Sequence, residues 1–146
     1  MCRWASRSKA APGSLRPGLA AVVAAYDELA PVDLRTYGGA TNYRKIRPSE
    51  WRSGLTVHYE FYQYRGVIGV ELHLENNRAA TLLAPLLQKF VGCTIGPETK
   101  HLEWDPTWSS RRGRLRAQYP TEKDPTVTAR SMLDLIALTR EVVAQV

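Results

Sequence analysis

Cysteine is nearly missing from this chain. Cys2 and Cys93 are the only two, too few and too far apart for a disulfide framework, and no Cys-x-x-Cys or Cys/His spacing surrounds them. A disulfide-stapled scaffold and a cysteine-rich zinc module are therefore excluded, and a reduced, cytoplasmic setting is the expectation. Long apolar runs are missing too. The longest, around residues 19–25 and 133–138, fall well short of the roughly 18–20 residues needed to cross a bilayer. They read as buried helix faces, and no membrane partner is expected. Gly38–Gly39 is a turn and not a phosphate loop, because no GxxxxGK pattern surrounds it. Ser, His and Asp occur without a nucleophile-elbow context, and no cofactor is expected.

Acidic residues are absent from the N-terminus. Residues 1–18, "MCRWASRSKAAPGSLRPG", are basic and rich in Ser and Ala, and read as a flexible arm. Residues 19–146 are expected to form a single domain, within the usual size range for one core. A hydrophobic fraction of 44% and a charged fraction of 23% belong to an ordinary globule and not to a disordered chain. The net charge of +6 implies attraction to polyanions, either nucleic acid or an acidic protein surface.

Periodicity supplies the elements. Leu19, Val22, Val23, Tyr26 and Leu29 fall at helical spacing, and Pro31 ends that helix. The segment "VDLRTYGGATNYRKIRPSEW" shows no clear period and reads as a long loop or unresolved short structure. It carries the basic cluster Arg44, Lys45 and Arg47. From residue 55 onward a period of two appears: Leu55, Val57, Tyr59 and Phe61, then Ile68, Val70, Leu72 and Leu74. Asn76 and Asn77 suggest a turn and helix cap before an apolar stripe through Leu82, Leu83, Leu86, Leu87 and Phe90. Pro85 is expected to kink that helix or mark its start, and Gly92 to close it. A second hairpin is expected between residues 100 and 119, and Asp124–Pro125 announces a final helix. The expected fold class is α+β: one two-layer domain, ordered helix–β-hairpin–helix–β-hairpin–helix, with an antiparallel sheet packed on helices.

Two constellations carry chemistry. Placing both apolar rows of the first hairpin on one face sets Phe61 opposite Ile68, Tyr59 opposite Val70 and Val57 opposite Leu72. On the reverse face His58 then lies opposite Glu71 and Thr56 opposite His73, with Glu60 alongside. Cross-strand neighbours lie roughly 4.5–5.5 Å apart between Cβ atoms, so His58, Glu60, Glu71 and His73 are within reach of a shared metal or an acid–base pair. The plainer reading is a solvated sheet face with complementary charges. Glu71-x-His73 also lacks the lysine that a nuclease-type Glu-x-Lys would require.

The second constellation is "SSRRGRLR". Arg114 and Arg116 share a strand face, with Arg111 and Arg112 at the preceding turn, an array whose guanidinium forks suit phosphates or clustered carboxylates. Trp108 stands near enough for base stacking. Charged edge strands also serve simply to block aggregation.

Residues 69–104 carry a V-E-L strand (Val70–Leu72), an amphipathic helix (Leu82–Phe90) and an L-x-W strand (Leu102–Trp104). In these the chain resembles an uncharacterised bacterial domain that accompanies restriction-endonuclease-like and other DNA-linked defence proteins. The family's Ile-Glu pair before the gap is here "CTIGPE". The resemblance implies a phage or defence setting and no catalytic residue. The first functional expectation is a non-enzymatic nucleic-acid-associated module that binds through Arg111, Arg112, Arg114, Arg116, Arg44, Lys45, Arg47 and Trp108. The alternatives are an inhibitor or adaptor seated on an acidic protein surface, and a metal-dependent hydrolase using His58, Glu71 and His73.

Overall fold

A computed structural model describes residues 15–146. Most of the expected arm lies outside the described residues. Leu15 is buried in the core and the Arg16 N–H bonds to the Thr41 carbonyl at 3.0 Å, so residues 15–18 belong to the fold. Helix α1 (Pro17–Leu29) starts on Pro17 and buries Leu19, Val22, Val23 and Tyr26. This is the spacing of a single apolar stripe. The Tyr26 hydroxyl donates to the Leu34 carbonyl at 2.8 Å and ties down a 3-10 turn at Val32–Leu34.

Strands β1 (Tyr37–Ala40) and β2 (Tyr43–Ile46) form a hairpin inside the segment that lacked a period. This hairpin is additional to the two expected. The alternation is broken by the two glycines and a bulge between Tyr37 and Ala40. Gly39 has φ +105°, and a Cβ there would run into the Tyr43 carbonyl, so no other residue closes this turn without strain.

Strands β3 (Val57–Tyr64) and β4 (Val67–Leu74) follow, joined by a two-residue turn at Arg65 and Gly66. The register differs from the expected one by two residues. Phe61 pairs with Val70, Tyr59 with Leu72, and Val57 with Leu74, while His58 faces His73 and Glu60 faces Glu71. A shift of two leaves every side chain on its own face, which is why alternation could name the faces and not the partners.

Helix α2 (Asn77–Leu87) is capped by Asn76, whose side chain accepts from the Ala79 N–H at 2.8 Å. Pro85 lies in its last turn, so it neither starts nor visibly divides the helix, and a 3-10 turn (Gln88–Phe90) extends it. The expected second hairpin is reassigned. Strand β5 (Thr94–Ile95) pairs with β6 (Lys100–His101) in a separate two-stranded ribbon. Of the expected first strand of that hairpin, the segment that pairs with β8 (Arg114–Pro120) is β7 (Glu103–Asp105). Helix α3 (Pro125–Ala144) is capped as expected, Asp124 accepting from the Thr126 N–H at 2.9 Å.

The main sheet runs β1-β2-β3-β4-β8-β7, with every pairing antiparallel. Helix α1 packs on α3, and both cover one sheet face. Tyr59, Phe61, Val70, Leu72, Leu115 and Tyr119 point into that layer and are at most 1% exposed. The opposite face is where expectation fails most. His58 and Glu60 are 5% exposed, Glu71 1% and His73 0%, so this is a buried polar cluster and not a solvated surface. No described helix is long and apolar enough to cross a membrane.

Candidate metal centre

The cluster is assembled by pairing geometry. His58 and His73 are direct partners across β3 and β4, and Glu60 and Glu75 each follow a histidine by two residues on the same face. Because the strands are antiparallel, the two carboxylates lie on opposite sides of the histidine pair. His58 Nε2 is 3.0 Å from Glu60 Oε1 and 3.6 Å from Glu75 Oε2. His73 Nδ1 is 3.6 Å from Glu60 Oε1 and 3.1 Å from Glu75 Oε2. The four atoms lie within 4.8 Å of one another. Ligand atoms on a tetrahedron with metal bonds of roughly 2.0–2.1 Å are separated by about 3.3 Å, and the four nearest separations here bracket that value.

A second ring of contacts fixes the first. His73 Nε2 meets Glu71 Oε1 at 2.6 Å, and Arg114 Nη1 donates to the same oxygen at 2.9 Å. Arg114 Nε donates to Asp105 Oδ2 at 2.9 Å. A carboxylate on the far nitrogen of a histidine orients the ring and raises its basicity toward a metal. Gly69 makes room for this: a Cβ at that position would collide with the Glu71 carboxylate. A glycine in mid-strand marks such a close approach.

Trp108 forms the lid. Asp105 Oδ1 accepts from the Thr107 N–H at 3.0 Å and hydroxyl at 2.8 Å. The backbone then turns through Ser109, Ser110 and Arg111 at φ 54°, 59° and 69°, a left-handed run that non-glycine residues adopt at a cost of about 1–2 kcal/mol each. This sets the Trp108 ring 4.6 Å from the His73 ring and 4.2 Å from the Arg114 guanidinium. Trp108 Nε1 is buried without a hydrogen-bond partner among the described residues.

Electrostatics follow from crowding Glu60, Glu71 and Glu75 against a single buried arginine. Burial by itself would push His73 down, but hydrogen bonds to Glu71 and Glu75 and the charge of Glu60 overcome it and raise the imidazole to about 9. The hydrogen bond from His73 holds Glu75 at about 2 against the opposing effect of burial, helped by the charges of His58 and His73. The Trp108 indole adds a smaller push in the same direction while falling short of hydrogen-bond geometry.

The arginine array takes a different form from the one expected. Arg114 is turned inward and neutralised by Glu71 and Asp105; Arg116 meets Glu103 at 3.3 Å and Asp105 at 3.7 Å. Arg112 donates to Asn77 Oδ1 and the Glu75 carbonyl, leaving Arg111 exposed on the strained turn. Arg44 is buried on the helix side, donating to the Gly38 carbonyl at 2.7 Å. Arg47 clamps the carbonyls of Trp51, Arg52, Leu55 and Val57. Lys45, opposite Glu60 on β2, lines a cavity beside the cluster.

Of the expected metal candidates, His58, Glu60 and His73 come together and Glu71 stands behind His73. Glu75 was missed, although "VHYE" and "LHLE" repeat His-x-Glu on both strands. No family model, curated protein or solved structure matches this chain.

Proposed function

We propose that this domain binds one first-row divalent metal ion, zinc being the reference case, through His58, Glu60, His73 and Glu75. The observation that carries the reading is that two imidazole nitrogens and two carboxylate oxygens lie 3.0 to 3.6 Å apart in four His–Glu pairs and all within 4.8 Å of one another. Mixed nitrogen and oxygen donors suit Zn²⁺ and its neighbours, whereas Mg²⁺ prefers oxygen and water. An ion held there would polarise an oxygen donor that entered as a fifth ligand, which is the chemistry a hydrolase of this type uses.

Isothermal titration of chelator-treated protein tests the reading. One Zn²⁺ per chain is expected, with a melting temperature raised by about 5–10 °C at an excess of roughly a hundred dissociation constants. Mg²⁺ should give neither effect, and His58→Ala should abolish the zinc response. Undiminished zinc binding in both His58→Ala and His73→Ala would refute the assignment.

A polyanion-binding role is the second reading, supported by the net charge of +6 and by exposed Arg111. An acidic protein surface would satisfy the same cations. The resemblance over residues 69–104 would set either role in a defence context. A steep fall of nucleic-acid affinity with salt is its expected signature, and a flat dependence would remove it.

A further inference from the structure

Beside the metal cluster lies a cavity of about 340 Å³, at the small end of the roughly 300–1,000 Å³ typical of ligand sites. Glu60 and Glu75, two of the four ligand residues, line it together with Tyr43, Tyr62, Trp108, Lys45 and Asn42. Tyr62 and Trp108 meet at a corner, ring centroids 5.9 Å apart and planes inclined by 55°, leaving two aromatic surfaces on adjoining sides. Tyr43 is the direct cross-strand partner of Tyr62, as Lys45 is of Glu60. Trp108 also brings a buried indole N–H that lacks an acceptor.

The charge balance reverses when the cluster is filled. A divalent ion, Arg114 and Arg116 together offset Glu60, Glu71, Glu75 and the Asp105 that the two arginines share, and Lys45, which makes no ion pair among the described residues, remains as surplus positive charge at the cavity. A filled site is therefore attractive to an anion, and its walls are attractive to a ring.

We infer that the cavity is the ligand site of the metal centre, and that it takes a small single-ring aromatic compound carrying one anionic oxo group. The ring packs into the corner of Tyr62 and Trp108, and the anionic oxygens face Lys45 and the ion. This inference rests on the metal reading above and adds the class of ligand.

The test uses the full chain, with zinc content measured first by elemental analysis. Phenylphosphonate and methylphosphonate, which share the anionic group and differ in the ring, are titrated into zinc-loaded protein. Phenylphosphonate should bind about tenfold more tightly, the scale of one or two aromatic contacts. Tyr62→Ala should erase that preference, and Lys45→Ala should weaken both compounds, while both variants keep their zinc. Equal affinity of the two compounds, or a ring preference that survives Tyr62→Ala, would overturn the ligand site and leave the metal centre standing. A chain that takes up no zinc would overturn both.

Discussion

The central strands β3, β4 and β8 bury two faces to nearly the same degree by opposite physics. On the helix side Tyr59, Leu72 and Leu115 are 0% exposed; on the other, His73 is 0%, Glu71 1% and Arg114 8% exposed. Burying the first set is favourable, at about 1.5–3 kcal/mol for a large side chain. Burying the second removes charge from water and is at best neutral unless every group finds a partner. The apolar face therefore accounts for why the sheet folds. The polar face does nothing for stability that leucines would not do better, and its composition points to a task. Perturbed titratable groups gathered beside a cavity are the usual mark of a functional site.

That contrast can be broken from either side, and the largest effects should come first. Arg114→Met removes the guanidinium from a buried Glu71 carboxylate whose other partner is His73, and should cost about 3–5 kcal/mol in urea unfolding. Leu72→Ala, directly behind it in the sheet, should cost a similar 2–5 kcal/mol by opening a cavity. The two should part on metal: Leu72→Ala keeps its zinc stoichiometry, and Arg114→Met loses affinity. Matching zinc affinities in the two variants would mean that the faces are not functionally distinct.

Glu71→Gln keeps the shape and removes a charge from behind His73. Zinc affinity should fall by about 10–100-fold, while stability in the absence of metal changes little, because one of three crowded carboxylates is gone. Gly69→Ala forces a methyl group against that same carboxylate and should cost about 1–3 kcal/mol, the usual scale of overpacking, and weaken zinc along with it. A Gly69→Ala variant of unaltered zinc affinity would show that the position of Glu71 is not critical.

The smallest effect lies away from both faces. Arg140 bonds Glu50 through Nε at 2.6 Å and Nη2 at 2.9 Å, and this hydrogen bonding holds the Glu50 carboxyl below its usual range. A carboxylate depressed in the folded state contributes above its unfolded pKa, about 4.3. That contribution is lost as pH falls through the lower folded value. Both side chains are partly exposed, so Arg140→Ala should cost less than about 1 kcal/mol at neutral pH. The difference from the parent chain should vanish in acid.

Much of the fold was legible because local chemistry settles it. Asn76 and Asp124 cap their helices where side-chain oxygen meets free N–H groups, and alternation assigned Val57 through Leu74 to the correct faces. The β1–β2 hairpin was hidden because glycines and a bulge erase its period. The site was half legible. His58, Glu60 and His73 were visible as a cluster. The pairing of His58 with His73 depended on whether the turn took two residues or four, and that is what brings Glu75 to the histidine pair. Arg114 turns inward and not outward for a related reason: Asp105 and Glu71, distant in sequence, converge on it only once β8 lies between β4 and β7.

The sequence by itself determined which residues share a face and where helices α2 and α3 begin, because a period of two and a side-chain cap are properties of neighbouring residues. Only the tertiary structure decided that the charged face would be buried, that four side chains from two strands would converge at metal spacing, and that Trp108 would close over them. Those outcomes depend on register and strand order, which are fixed by contacts between residues far apart in the chain.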